Sequence, residues 1–303
     1  MDRLPGTSVN TESRTVGPVE RLLGCADLLA CPECGQDLTA RDRSLRCARG
    51  HSFDIARQGY VSLLTGAATK MTGDTPEMLD ARAAFQGVGH FAPIAGALAR
   101  TMASVPVRTP DSAPAAAVLE IGAGTGYYLA AILDARPEAR GLALDVSKAA
   151  ARRAARAHPR AGSVLADAWR GLPVRDGVMD AVVAVFAPRN AAEIARVLTP
   201  EGRFVVVTPT SRHLAELIAP LGMVSVDAAK EDRLAESLGE RFELLDRNRV
   251  EYSMNLTHTD IANVAGMGPS AHHAAAERAE RITALPEVSA VTASVTVSVY
   301  RRH

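Results

Sequence analysis

Val118-Leu-Glu-Ile-Gly-Ala-Gly-Thr-Gly-Tyr-Tyr128 is the stretch on which the reading of this chain turns. A short apolar run, the pattern of a buried strand, ends at once in Gly122, Gly124 and Gly126, and the helix-like YYLAAILDA follows. Glycines in that position let the backbone turn sharply and approach a ligand closely at the carboxyl end of a first strand. Dinucleotide enzymes use G-x-G-x-x-G in the same place, but here the third glycine of that fingerprint falls on Tyr127, so only G-x-G-x-G remains.

Working outward, apolar runs alternate with helical patterns. GLALDV at 141–146, SVLAD at 163–167, MDAVVAVF at 179–186 and RFVVVTP at 203–209 are separated by KAAARRAARAH and AAEIARVL. Short apolar runs divided by helices predict a parallel sheet covered on both faces, hence an α/β, Rossmann-like domain. RFELLDRNRVEYSMNL and SAVTASVTVSVYRR predict a closing antiparallel pair. Upstream, residues 75–103 read as two helices interrupted near Gly87 to His90, followed by the Pro/Ala-rich linker PVRTPDSAPAAA.

Asp145 ends the second strand, where a carboxylate can accept hydrogen bonds from both ribose hydroxyls, and Asp167 ends the third, placed for an adenine amine. Either acid alone reads equally well as a helix N-cap. Together with the glycine loop they describe a nucleoside site, and Glu120, two residues before the loop, resembles the methyltransferase version of this motif. The cofactor expected is therefore S-adenosylmethionine.

All four cysteines lie in the first fifty residues, and residues 48–303 contain none. Cys31-x2-Cys34-x12-Cys47-x3-His51 places two short ligand pairs a dozen residues apart, each on a tight turn with room for a hairpin between them, which suits tetrahedral zinc. Four protein ligands leave no open position for water, so the zinc is structural. The competing reading is ordinary buried thiols beside a chance histidine. Cys25 falls outside the spacing and reads as a free thiol or small apolar filler.

With 303 residues, 47% hydrophobic, the chain can bury one large core and carry a smaller module. Thirty-four basic residues balance thirty-four acidic ones, so net charge argues neither for nor against a nucleic-acid partner. The N-terminus lacks the apolar core of a secretory signal, and no stretch of eighteen uninterrupted apolar residues follows, so a cytoplasmic protein without a membrane partner is expected. The plan is a flexible extension over 1–24, a zinc-binding module for RNA recognition over 25–70, a helical connector over 71–110 and the catalytic domain over 111–303.

Methyl transfer from a sulfonium asks the protein mainly to align the acceptor lone pair with the methyl–sulfur bond. Adenine amine methylation commonly uses an Asn/Asp-Pro-Pro-aromatic segment after the fourth strand, where this chain has Phe186-Ala187-Pro188-Arg189. Cytosine C5 methylation needs a cysteine nucleophile, which the catalytic domain lacks. The helix after Asp145 carries Lys148, Arg152, Arg153, Arg156 and Arg160 without an acid. Arg152 and Arg156 on one face would engage neighbouring phosphates, or else form a solvated face. Arg41, Arg43, Arg46 and Arg49 surround the zinc hairpin. His258, His272 and His273 have no motif context.

These motifs assemble in order: Cys-Pro-x-Cys, Cys-x3-His-Ser-Phe-Asp, Gly59-Tyr-Val-Ser-Leu-Leu64, Gly89-His-Phe-Ala-Pro93, the glycine loop, Leu144-Asp-Val-Ser-Lys148, Ala187-Pro188 and Thr208-Pro-x-x-Arg-His-Leu214. From Cys31 to the C-terminus the chain resembles the 23S rRNA guanine-N1 methyltransferases, a family that includes macrolide (tylosin) resistance enzymes of actinomycetes. The resemblance implies a class I S-adenosylmethionine-dependent fold, zinc on Cys31, Cys34, Cys47 and His51, and a cofactor held by Glu120, Gly122, Gly124, Thr125, Gly126, Tyr127, Asp145 and Asp167. Phe91 and His213 match positions the family places near the cofactor; Phe91 stands where Tyr is frequent, so no hydroxyl acts there. The implied substrate is 23S ribosomal RNA, at a guanine in a hairpin loop lining the peptide exit tunnel. Usage of Arg over Lys and abundant Ala, as in GC-rich genomes, favours the resistance branch.

Guanine N1 carries a proton at neutral pH, so a base or a stabiliser of the enolate-like anion is needed. Asp167 and His213 are candidates by position, and no catalytic residue is assigned. A small-molecule methyltransferase and a non-catalytic zinc-containing RNA-binding protein are the competing functions, and the sequence leaves monomer and homodimer both open.

Overall fold

The computed structural model describes residues 16–66, 69, 71–106, 115–225, 236–268 and 275–303. The linker's centre, His272 and His273 lie outside the described residues.

A parallel sheet forms where the sequence places its apolar runs. β5 (Ala117–Ile121), β6 (Arg140–Asp145), β7 (Ala161–Leu165), β8 (Met179–Val185) and β9 (Leu198–Pro209) lie in the order β7-β6-β5-β8-β9. β5 and β8 are buried along their whole length because both faces are covered, which is why they read as continuous apolar runs. α4 (Tyr127–Ala135), α5 (Lys148–Ala154) and α6 (Ala191–Val197) make the crossovers. β10 (Phe242–Thr257) and β11 (Val288–Arg302) pair antiparallel as expected, and β11 inserts between β9 and β10.

The Cys/His region contains the hairpin predicted between its ligand pairs: β1 (Thr39–Arg41) and β2 (Ser44–Arg46) pair antiparallel, and β3 (Ser52–Asp54) adds to β2. Its next strand, β4 (Tyr60–Ser62), leaves this small sheet and pairs parallel with β7, becoming an edge of the main eight-stranded sheet. Val61 and Leu63 are buried beneath it, and the Leu63 N–H donates to the Leu165 carbonyl at 2.9 Å. The segment Gly59-Tyr-Val-Ser-Leu-Leu64 thus joins the zinc unit to the sheet.

α2 (Pro76–Val88) starts where the Thr75 hydroxyl accepts the Met78 N–H, with Pro76 in the first turn, and stops at Gly89, whose φ of 93° is left-handed. α3 (Ala92–Ala103) begins after two intervening residues, His90 and Phe91, so the expected interruption is a C-cap.

Two expectations need correction. Residues 18–23, assigned to the flexible extension, form α1 (Pro18–Leu23), with Val19 and Leu22 buried three residues apart on one face. The basic helix also ends at Ala154, short of Arg156. Within it Arg153 is ion-paired with Asp80, and Arg160 donates to the carbonyls of Leu133, Arg136, Pro137 and Ala139. Lys148, Arg152 and Arg156 are the exposed members of that set. Cys25 is buried and its Sγ lies 3.5 Å from the Gly141 carbonyl. Burial pushes its thiol pKa up to about 11, so it behaves as an apolar filler.

Candidate functional site

Strand order reverses at β5, which has β6 on one side and β8 on the other, and open α/β sheets bind ligands at such a switch point. A cleft of about 1090 Å³ lies there, bounded by the carboxyl ends of β5, β6 and β8 together with α2 and the segment that precedes it.

The loop after β5 has φ of +67° at Gly122, +55° at Gly124 and +78° at Gly126, conformations a side chain disfavours. A Cβ on Gly122 would lie 2.7 Å from Ala187 Cβ, and one on Gly124 2.7 Å from the Arg82 guanidinium. The cradle is therefore drawn up against its neighbours, and its N–H groups tie it to β6: Gly122 and Ala123 donate to the Leu144 carbonyl and Gly124 to Asp145.

Asp145 is buried at the end of β6. Its Oδ2 accepts the Gly124 N–H and its Oδ1 the Ser147 N–H, both at 2.8 Å. Burial nevertheless raises its pKa above the ordinary carboxylate value, the two amides pulling the other way. Glu120, also buried, accepts the Leu129 N–H at 3.0 Å, and burial pushes its pKa up to about 8. Asp167 accepts the Trp169 N–H at 3.0 Å and the Thr69 hydroxyl at 2.6 Å.

Phe91, Glu120, Gly122, Asp145, Asp167 and His213 all line the cleft. Gly124, Thr125, Gly126 and Tyr127 do not. The Thr125 hydroxyl donates to Gln86 Oε1 at 2.7 Å, and Tyr127 packs edge-on against Tyr128. Tyr128 lines the cleft in its place, because α4 turns positions 128, 129, 132 and 133 inward. Its phenolic oxygen is buried without a hydrogen-bond partner among the described residues. An orphaned hydroxyl beside a glycine cradle and two buried carboxylates fits a polar nucleoside-bearing ligand. The donor set therefore suits S-adenosylmethionine, the cofactor of the catalytic domain.

His213 contributes a neutral ring. Its Nδ1 accepts the Ser294 N–H at 3.2 Å, which leaves the proton on Nε2, and burial lowers its pKa to about 4. It stacks on Phe186 (5.6 Å between centroids, 28°) and lies 5.9 Å from Phe91. A ring so reluctant to take a proton suits donation from Nε2–H better than general-base work. Arg82 and Gln86, which no local motif marks, also line the cleft; Arg82 is ion-paired with Asp74 at 2.5 Å and donates to the Met267 carbonyl.

The second site is the cysteine cluster. One ligand atom from each of Cys31, Cys34, Cys47 and His51 lies within 4.8 Å of the others. Cys34 and Cys47 Sγ are 3.7 Å apart, and His51 Nδ1 is 3.5 Å from Cys31 Sγ and 3.4 Å from Cys47 Sγ. Tetrahedral zinc with ordinary Zn–S and Zn–N bonds has S···S edges of about 3.8 Å and S···N edges of about 3.5 Å. The cluster has the dimensions of a closed Cys3His zinc site, with Nδ1 as the histidine ligand and no coordination position left for water. Gly35 and Gly50, both at positive φ, close the two turns that present the ligands.

Comparison with known proteins follows this division. Residues 29–68 match the zinc-ribbon family described as "RlmA, N-terminal", and residues 118–202 match a methyltransferase-domain family. A Micromonospora griseorubida protein named as a 23S rRNA (guanine-N1)-methyltransferase is 50% identical, the match covering 90% of this chain and 97% of that one. The 23S rRNA (guanine(748)-N1)-methyltransferase of Streptomyces fradiae is 47% identical over 90% of this chain and 96% of its own. Among solved structures, a methyltransferase from Bacillus halodurans superposes with a TM-score of 0.48 at 15% identity, covering 67% of this chain and 97% of that one.

Proposed function

Because the chain belongs to the 23S rRNA (guanine-N1)-methyltransferase family, we propose that it methylates N1 of a guanine in a hairpin loop of 23S ribosomal RNA, acts in the cytoplasm, and confers tylosin-type macrolide resistance. The observation that carries this reading is the near end-to-end match, at 50% and 47% identity, to two proteins named for that reaction, zinc unit included.

S-adenosylmethionine supplies the electrophilic methyl group when bound. Asp145 would hold the ribose, Asp167 would meet the adenine amine, and Gly122 and Ala123 with Tyr128 would accommodate the amino-acid portion. The buried Phe91 and the neutral, partly buried His213 ring form one wall of the cleft.

A second cleft of about 630 Å³ runs between the zinc unit and the Rossmann-like domain. It shares Ala166 and Asp167 with the cofactor cleft and is lined by Arg170, Arg175 and Arg196. This is where the RNA backbone lies in our reading, with the zinc unit as one wall. Arg175 and Arg196 are ion-paired with Asp37 and Asp176, so phosphates would exchange with those carboxylates.

The test is methylation of ribosomal RNA with labelled S-adenosylmethionine followed by primer extension, since a methyl on N1 blocks base pairing. A stop at a single guanine of the tunnel-lining hairpin is expected, and its absence refutes the proposed product. Expression in a macrolide-sensitive host, scored as growth on tylosin, tests the resistance role separately.

A further inference from the structure

Two residues at the carboxyl end of β8 remain without a task. Phe186 has a left-handed backbone (φ 54°) and is 42% exposed, although it is a large apolar side chain at the rim of the cofactor cleft. A bulky residue in that conformation is strained and persists where surrounding structure enforces it, commonly at functional sites. Here the result is an aromatic face held open to the cleft and backed by the stacked His213 ring.

Three residues on, Arg189 lines the same cleft. Its guanidinium is partly buried and has no carboxylate or carbonyl partner among the described residues, unlike Arg82, Arg153, Arg160 and Arg196. Burial lowers its pKa, which reflects the cost of leaving that cation in the cleft uncompensated. An arginine kept there unpaired is arranged for an acceptor that arrives with a ligand.

We propose that these residues form the acceptor-base subsite: Phe186, backed by His213, stacks on the extruded guanine, and the Arg189 guanidinium donates to its O6. This rests on the guanine-N1 reading above. Enzymes that modify a base remove it from the stack and hold it between apolar side chains and hydrogen-bond donors, and guanine O6 is a favoured arginine acceptor. The N1 proton passes to water, leaving a negative charge shared between N1 and O6. N1 then forms the N–CH3 bond while the methyl–sulfur bond breaks and its electron pair stays on sulfur. Arg189 stabilises the charge on O6 and so makes N1 easier to deprotonate.

The test compares wild type, Arg189→Gln and Arg189→Lys for kcat and KM on 23S rRNA from pH 6.5 to 9.5, with the product mapped by primer extension. Calorimetric binding of S-adenosylhomocysteine reports on folding. Arg189→Gln is expected to lose on the order of 10²-fold in kcat at pH 7. That deficit should shrink as pH rises, because the rate-limiting deprotonation moves to higher pH without the cation. Arg189→Lys should fall between the two, with a smaller shift of the same sign, and is read alone if Arg189→Gln does not fold. A deficit independent of pH, or one confined to a salt-sensitive KM as for a phosphate contact, overturns the assignment. A wild-type product other than N1-methylguanine instead overturns the underlying functional reading.

Discussion

Replacing each loop glycine by alanine separates what the loop does for the fold from what it does for the cofactor. All three substitutions force a side chain into left-handed backbone, at about 1–2 kcal/mol each. Their surroundings differ. At Gly126 the new Cβ would lie 2.5 Å from Ala157 Cβ and 3.3 Å from Ala154 Cα, where packed backbone cannot retreat. Overpacking adds about 1–3 kcal/mol, for a total of roughly 2–5 kcal/mol. At Gly124 the obstacle is the end of a flexible arginine, so the stability loss stays near the conformational term, but the Arg82–Asp74 pair at the cleft is pushed apart. Gly122 falls between, meeting one methyl, that of Ala187. With about 2–4 °C per kcal/mol for a domain of this size, Gly126→Ala should lower Tm by roughly 5–15 °C and Gly124→Ala by about half as much. S-adenosylhomocysteine affinity, measured by calorimetry below either transition, should suffer more from Gly124→Ala than from Gly126→Ala. Equal Tm losses at the two positions, or a Tm for Gly126→Ala within about 1 °C of wild type, would refute the steric argument.

Three further outcomes are expected. Cys34→Ser should abolish stoichiometric zinc, measured by elemental analysis, and raise hydrogen exchange at Tyr60–Ser62 as well as in β1–β3; exchange confined to the hairpin would show that β4 is held independently of the metal. Glu120 has a folded pKa of about 8 against an ordinary 4.5, so the folded state keeps a proton that the unfolded state has released between those values, and stability falls as pH rises across that window. Glu120→Gln should therefore gain stability relative to wild type at pH 8, by the order of a few kcal/mol, with little difference near pH 4.5; parallel denaturation curves at both pH values contradict this. Phe186→Gly relieves a left-handed φ while losing ring contacts, so its Tm should stay close to wild type while methylation of RNA collapses, and retained activity would remove the ring from the site.

The sequence carried these sites unevenly. That the glycine loop follows a buried strand beside Asp145 and Asp167, and that the Cys3His ligands cluster, was legible because both are local: a turn needs glycines at fixed spacing, and a metal needs ligands on two tight turns. Tyr128 was not, since which of two adjacent tyrosines faces the cleft depends on the phase of α4 set by its packing. The pairing of Arg153 and Arg160 was not legible, because their partners come from α2 and from the carbonyls of residues 133–139, and only the fold brings those near. α1 is a six-residue helix with only Val19 and Leu22 buried, too little periodicity to rise above a polar stretch. Arg82 and Gln86 enter the site from a helix whose sequence signals only its own caps.

β4 changes how the two sites relate. Three residues cannot form a stable strand alone, so its place at the sheet edge depends on β7 on one side and on the chain leaving the zinc unit on the other. Beyond β4 the same polypeptide reaches the cofactor cleft, where the Thr69 hydroxyl donates to Asp167, the residue just past the carboxyl end of β7. The closed zinc site has no coordination position for chemistry, yet it fixes the start of a segment that meets an acidic residue lining the cofactor cleft. Position, rather than reactivity, is what a metal there can supply: it would hold β4 in register with the strand ends that line the cleft.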